Sequence, residues 1–261
     1  MLDIAQPLLP QGPFWGPFFF GAAIFGFRYL AFAGLAFAAW YGRAVAPAGK
    51  LQGGMPGLPQ LAREIAWSVA AVLVFGLVNA VISGYGVTPH TQLYFDVAQR
   101  GWGWFWLSIP LMILVHDAWF YWIYWTHRLM HTRLLFRAFH AVHHLSRNPT
   151  PFTAYSFHPL ESLVQALGVV LVIFVVPSHP LALILFQTVS TAINVYGHLG
   201  YEIYPRGFSR HWLGRWVNTS VAHNLHHATA RHNYGFYFLF WDRLMGTLAP
   251  EYDARYAAAR G

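Results

Sequence analysis

The residues best suited to chemistry in this sequence are its fifteen histidines, which are unevenly distributed. Fourteen of them lie between His116 and His232. Eight of these form three short groups: His127 and His131; His140, His143 and His144; and His223, His226 and His227. Neutral imidazole is a common ligand for iron, zinc, copper and nickel, so the spacing indicates metal binding.

Residues three and four positions apart share one face of a helix, so each group is expected to aim its imidazoles at a single point. Protonated imidazoles at such a point would repel one another, and neutral unpaired ones would cost about 1–3 kcal/mol each. A bound metal removes both problems. Eight ligands exceed what one tetrahedral or octahedral ion accepts and suit two ions. The sequence has no cysteine, which excludes thiolate-bound zinc, iron–sulfur clusters, disulfides and a cysteine nucleophile.

Four further side chains are candidates near these groups. His198 is favoured as a ninth ligand, and Glu202 could be a ligand, a hydrogen-bond acceptor that orients a ligand, or an interfacial charge. His116 precedes His127 by eleven residues, and it could line the approach to the metals or pair with a neighbouring helix. Asp117 could orient a ligand imidazole through a hydrogen bond.

The remaining histidines have local explanations. His158 precedes Pro159, and Glu161 follows within one turn, so the segment is typical of a helix start. A structural role for His158 is favoured over a hydrogen bond to a metal ligand. Ordinary hydrogen-bonded roles are expected for the isolated residues His90, His179, His211 and His232.

The elements that must position these residues are membrane helices. Apolar residues make up 56% of the chain and charged residues only 10%, against roughly 25% charged in soluble domains. A bilayer crossing takes about 20 apolar residues. Candidate segments run approximately over 14–41, 65–87, 102–127, 163–176 and 181–196, with a Gly- and Pro-rich loop at 44–60. The last two are short, so a hairpin entering the membrane competes with two crossings.

The basic residues predict the orientation of these segments. They concentrate in three regions, 43–63, 128–147 and 206–243, whereas loop 88–101 has only Arg100, balanced by Asp96. Under the positive-inside rule these regions and the histidine groups face the cytoplasm, with the N-terminus outside. Residues 1–13 have no basic region, so no cleavable signal peptide is expected. No lysine- or arginine-rich run or nucleotide-binding motif occurs, which argues against nucleic acid as a partner.

At this level of detail the chain resembles the fatty acid hydroxylase/sterol desaturase superfamily of integral membrane di-iron oxygenases. The resemblance covers about residues 112–250 and rests on the three histidine groups and on Asp117, Asn148-Pro149-Thr150, His158-Pro159-Leu160-Glu161, Gly197-His198, Asn233-Tyr234-Gly235 and Trp241-Asp242-Arg243. We therefore expect an all-α membrane protein with about four transmembrane helices, or a helical hairpin among them. A cytoplasmic helical cap would carry the dimetal site. Expected regions are a membrane part (1–110), a catalytic domain (111–250) and a tail (251–261).

The resemblance implies an O2-dependent enzyme that hydroxylates or desaturates a lipid, with two iron ions (Fe2+/Fe3+) held by the histidines. Zinc could replace iron in a purified sample. The lipid would enter from the bilayer, and electrons would come from an external ferredoxin or cytochrome b5, because the sequence has no flavin, nicotinamide or iron–sulfur motif. Two other functions remain open from the residues alone: a zinc-dependent lipid hydrolase, and a metal transporter or haem-binding membrane protein.

Overall fold

The computed structural model describes residues 14–42, 49–121 and 126–260. The expectation about a signal peptide in residues 1–13 lies outside these ranges, as do Arg43 and the first part of the loop at 44–60. Residues 122–125, within the third apolar segment, also lie outside them.

Nine α-helices occur within the described ranges. They are α1 (Trp15–Tyr41), α2 (Leu58–Gly84), α3 (Gly101–Tyr121), α4 (Thr126–Met130), α5 (Pro159–Val175), α6 (Pro180–Gly197), α7 (Ser220–Thr229), α8 (Phe240–Leu244) and α9 (Tyr252–Arg260). Across these ranges the backbone forms isolated β-bridges but no β-strand. The predicted all-α class is confirmed.

Among the described helices, α1, α2 and α6 are long and apolar enough to cross a membrane, and α3 and α4 lie in a fourth such stretch, Gly101–Met130, of which residues 122–125 are outside the described ranges. Helix α5 is also apolar but has only 17 residues, at the lower limit of about 17 to 25 residues for a crossing. The expected number of about four is therefore confirmed. The second segment was placed too late, because α2 begins at Leu58, with Pro59 in its first turn, where the missing amide hydrogen costs nothing.

Small residues allow α1 and α2 to pack closely. A Cβ atom on Gly76 would lie 2.9 Å from the carbonyl oxygen of Phe18, so only glycine fits there. The Asn79 side chain donates a hydrogen bond of 2.8 Å to the carbonyl of Pro17. Outward-facing residues such as Phe27 and Leu35 remain largely exposed, which suits contact with lipid chains.

The ends of the helices that carry or adjoin the histidines lie together on one side of the bundle. The Tyr41 hydroxyl, at the end of α1, donates to the Leu199 carbonyl just after α6. The buried Glu64 carboxylate, in the first turns of α2, accepts hydrogen bonds from Ser146 and Thr150. These contacts attach the loop between α4 and α5 to the membrane helices.

Helices α7, α8 and α9 lie beyond these ends and pack around a second core. Its buried members include Val221, Leu225, Leu239, Tyr252 and Tyr256. The segment beyond residue 250 thus forms α9 and packs against α7. This helical region holds the third histidine group against the first two.

Candidate metal centre

The structure brings nine histidines together in two adjoining groups. The five ligand nitrogens of the first group, and the four of the second, each lie within 4.8 Å of one another. The first group comprises His127, His131, His140, His144 and His226, and the second His143, His198, His223 and His227. All nine residues predicted as ligands are therefore placed where two ions could bind, including His198, which directly follows α6.

The expectation that each sequence group aims at one point holds for His127 and His131 but is wrong for the other two sequence groups. His140 and His144 belong to the first group, but the intervening His143 faces the second. On α7, His223 and His227 face the second group while His226 faces the first. Helical positions four apart differ by about 40° in direction, whereas adjacent positions differ by about 100°, so consecutive histidines diverge. Each of these sequence groups therefore contributes to both sites.

The second sequence group is also not on a regular α-helix. A π-helical turn spans Phe136–His140, and a 3-10 turn spans His143–Leu145. Such irregular turns are frequent at functional sites. The histidines of this sequence group divide between the two sites in the same way as those of the regular helix α7.

In a histidine ligand, the hydrogen bond made by one ring nitrogen decides whether the other ring nitrogen can bind metal. The Nδ1 atoms of His127, His226, His227 and His198 lie 2.8, 2.7, 3.0 and 2.8 Å from backbone carbonyl oxygens. A carbonyl only accepts, so each Nδ1 must carry the hydrogen and each Nε2 keeps its lone pair. This is the tautomer that a metal ligand requires.

The Nε2 atoms face one another at short distances. His127 and His140 are 3.0 Å apart, and His198 is 3.2 Å from His143 and 3.1 Å from His227. With Nδ1 protonated, no hydrogen lies between these lone pairs, so the contacts are repulsive unless a cation sits among them. Two nitrogens bound at right angles to an ion at about 2.1 Å would be about 3.0 Å apart, so the donor set fits two metal ions.

One ligand is oriented by a carboxylate rather than a carbonyl. His140 Nδ1 lies 2.7 Å from Glu161 Oε1, and both side chains are buried. A carboxylate in this position fixes the ring and raises the basicity of the nitrogen that faces the metal. Sequence reasoning read Glu161 only as part of a helix start. The sequence signal for Glu161 was its place in the His-Pro-Leu-Glu motif, one of the motifs on which the family resemblance rests.

Burial keeps these imidazoles in the neutral, metal-binding form. Removal from water lowers the pKa of His140, His143 and His223 well below the usual value, and neighbouring imidazoles lower the pKa further. The same holds for His226 and His227. The site is thus built from uncharged donors.

Hydrogen bonds in the segment that follows α7 support ligands of the first histidine group. Ala230 ends α7 in a left-handed conformation, with its N–H donating to the His226 carbonyl at 2.7 Å. The Asp242 carboxylate accepts from the backbone N–H groups of Tyr234 and Gly235, both at 2.8 Å. This fixes the Tyr234 carbonyl that bonds His127, a role of Asp242 that the sequence analysis did not single out.

The two carboxylates considered for the ligand sphere serve elsewhere. Asp117 accepts from the Tyr237 backbone and the Trp241 indole at 3.0 and 2.9 Å, not from an imidazole. It ties α3 to the segment 233–241 instead. Glu202 accepts from Tyr196, Tyr204 and the first turn of α7 and lies outside both histidine groups. Its negative charge faces the positive end of α7, which explains the placement.

Hydrogen-bonded structural roles are found for His158, His179 and His211, whereas the buried Nδ1 of His232 forms no hydrogen bond with a described residue. His158 and His179 cap α5 and α6, each accepting from a backbone N–H two residues later. No hydrogen bond between His158 and a ligand histidine occurs within the described chain. The ring of His116 lines a cavity, as one expectation had it, but its Nδ1 lies 2.9 Å from the hydroxyl of Tyr237, which belongs to the segment between α7 and α8 and not to a neighbouring helix.

That cavity connects the histidines with the far end of the bundle. It has an empty volume of about 1350 Å³ including its open mouth. Five of the nine histidines border one end, and Thr88, Leu93 and Pro180 border the other. Because α6 runs from Pro180 to Gly197, the cavity extends along about 27 Å of helix, close to the thickness of a bilayer's hydrocarbon core.

Comparison with known proteins agrees with the resemblance. The sequence model of the fatty acid hydroxylase family matches residues 109–247. A Delta(7)-sterol 5(6)-desaturase of Gibberella zeae is 31% identical over 205 residues, covering 77% of this chain and 61% of that protein. The lathosterol oxidase of Homo sapiens is 28% identical over 188 residues, covering 72% of this chain and 61% of that protein.

The chain spans about three fifths of the length of these relatives. No solved structure shows a match to it. The family match covers more than half of the chain and contains all nine histidines of the two groups. The chain therefore belongs to the fatty acid hydroxylase/sterol desaturase superfamily.

Proposed function

We propose that this protein is a membrane-bound di-iron oxygenase that hydroxylates or desaturates a lipid with O2 and externally supplied electrons. The observation that carries the proposal is the pair of neutral histidine groups at one end of a bilayer-deep cavity. The relatives named as sterol desaturase and lathosterol oxidase support a lipid substrate.

The five- and four-histidine groups would each hold one iron ion. A pair of irons would supply the electrons that reduce O2 and the oxidising power to break an unactivated C–H bond, which no side chain can do alone. Because the imidazoles are neutral, they would not offset the positive charge of the ions. Hydrogen bonds at Nδ1 orient His127, His140, His198, His226 and His227, so these donors need little rearrangement when metal binds.

The cavity would bind the lipid and keep water from the site. Apolar side chains such as Phe75, Val169, Ile173 and Phe186 line it between the histidines and the far end. A lipid carbon next to His127, His140 or His143 would face the ligand groups directly, since these residues border the cavity. A sterol, a fatty acyl chain or another membrane lipid would suit these walls.

Orientation and electron supply complete the proposal. The basic residues of regions 43–63, 128–147 and 206–243 indicate that the histidine side faces the cytoplasm. A cytoplasmic ferredoxin or cytochrome b5 would then reach the centre from that side. Arg133, Arg137, Arg210 and Arg215 could contact such an acidic partner, but we favour a topological role for them.

The test compares lipid extracts from cells producing the wild-type protein with extracts from cells producing His143→Ala or His226→Ala. Wild-type extracts should contain a lipid heavier by one oxygen atom or lighter by two hydrogens. Each variant should lose this product and bind less iron, while inserting into the membrane normally. Full turnover with full metal content in either variant, or product formation without O2 consumption, would contradict the proposal.

A further inference from the structure

Arg28 is an ionisable residue near the middle of the membrane helix α1, and it is buried, with 7% of its surface exposed. A charged side chain at that depth is energetically costly and is a functional candidate by default. It lies outside the family match at 109–247 and borders the cavity that leads to the histidines.

Neighbouring side chains hold the Arg28 guanidinium in one place. Its Nε donates to the Thr191 hydroxyl at 3.1 Å, and its Cζ lies 4.9 Å from the centre of the Phe25 ring. Thr191 donates its own hydrogen to the Gln187 carbonyl, so its oxygen also accepts from the Tyr155 hydroxyl at 2.9 Å. The Thr191 oxygen is therefore fully used, and the orientation of the guanidinium is fixed.

The outer edge of the guanidinium lacks a partner. Arg28 Nη1 is buried and forms no hydrogen bond with any described residue. Glu161 is the one acidic residue bordering the cavity within the described ranges, and it pairs with His140 and makes no ion pair with Arg28. Arginine is a permanently charged donor with no acceptor capacity, so Nη1 requires an acceptor from outside the protein.

We propose that Arg28 binds the polar oxygen of the lipid substrate inside the cavity and so sets which carbon reaches the metal centre. The part of this inference that makes the bound lipid a substrate rests on the proposed function. Thr191 precedes His198 by seven residues on α6, which corresponds to about 10 Å along the helix axis. The reacting carbon would thus lie about 10 Å from the anchored oxygen.

The chemistry that Nη1 recognises is an acceptor oxygen on an otherwise apolar molecule. A hydroxyl, as in a sterol or long-chain alcohol, and a carboxylate, as in a fatty acid, both supply one. The walls combine apolar side chains such as Phe75 and Phe186 with neutral polar ones such as Gln187 and Ser190, and Arg28 is the one arginine or lysine among the described lining residues.

The test measures lipid binding by the full-length protein in detergent, without turnover. The protein is incubated with matched pairs that differ only in the oxygen: octadecane against octadecanol or octadecanoic acid, and cholestane against cholestanol. Lipid retained after gel filtration is quantified by mass spectrometry. The wild type should prefer at least one oxygenated lipid about tenfold or more, the scale of one hydrogen bond to a charged group.

Arg28→Leu should abolish this preference. The lipid pair for which the preference is lost shows whether Arg28 recognises a sterol, a long-chain alcohol or a fatty acid. Arg100→Gln, which removes an exposed arginine from the opposite loop, should keep the preference. If Arg28→Leu does not yield monodisperse protein, Arg28→Gln and Thr191→Val replace it. Both keep a neutral polar or isosteric side chain in the bundle, and both should weaken the preference.

A preference that survives these substitutions, or equal retention of both members of every pair by the wild type, would overturn the role of Arg28. That result would leave the oxygenase proposal standing. A preference that depends on Arg28, in a protein that oxidises none of the bound lipids when loaded with iron, would instead refute the oxygenase proposal alone.

Discussion

At the scale of single residues, most of the ligand imidazoles are positioned by the group that bonds to the Nδ1 atom. For most ligands that group is a backbone carbonyl, but for His140 it is the Glu161 carboxylate. Neutral carbonyls orient a ring, whereas a carboxylate also increases its electron donation to the metal. His140 should therefore be the ligand most sensitive to a change in its neighbour.

Glu161→Gln should lower the affinity of the first site for iron by about 10- to 100-fold, because the amide cannot supply the carboxylate's charge to His140. Iron titration of the purified metal-free protein measures this change. Glu251→Gln, at an exposed position, is the matched control and should bind as the wild type does. Unchanged affinity in Glu161→Gln would show that Glu161 does not support the ligand.

At the scale of elements, α7 serves both groups at once. Thr219 caps its first turn, accepting from the Ala222 N–H at 3.1 Å, and Glu202 accepts from the Val221 N–H. These contacts fix the start of α7 and hence the direction in which each histidine of the helix points. His223 and His227 then face one group and His226 the other.

Two double variants of α7 should differ in metal content. His223→Ala/His227→Ala removes two ligands from the second group alone, so about one iron per chain should remain. His226→Ala/His227→Ala removes one ligand from each group and should weaken both sites. Metal analysis at equal free iron distinguishes them. Identical losses in the two proteins would contradict the division of α7 between the groups.

At the scale of the whole molecule, the helices enclose a cavity as long as the bilayer core is thick. Helices α5 and α6 form much of its wall, with Val170 among the bordering residues of α5. The short length of α5 places its first turn, and therefore Glu161, beside the metal centre. The same helix thus contributes to lipid binding at one end and to ligand orientation at the other.

Val170→Trp should fill part of the cavity and lower kcat/KM for the lipid at least tenfold, because the bulky ring occupies space that the substrate needs. Bound iron should stay at the wild-type level. Val175→Trp is the matched control, since Val175 lies on the same helix, is 53% exposed and does not border the cavity. Turnover assays with the identified lipid test both variants, and equal rates would mean that the lipid binds elsewhere.

Much of this protein follows from its sequence alone. Long apolar segments can bury their backbone polar groups in a bilayer only as helices, so the all-α class and the number of about four spans were predictable. The spacing of His127 to His227 similarly indicated a dimetal site, because grouped neutral imidazoles have few other stable arrangements. His198 could be proposed as a ninth ligand because it follows an apolar segment on the same side.

Only the tertiary structure decided how these histidines divide. Sequence spacing describes neighbours along one element, whereas the two groups combine His140, His143 and His226 from different elements, brought together by packing. The same reason applies to Glu161, Asp117 and Glu202, whose partners include residues 21, 124 and 19 positions away, respectively. A carboxylate accepts hydrogen bonds from the donors that folding places nearest to it, and a local sequence pattern does not show which donors those are.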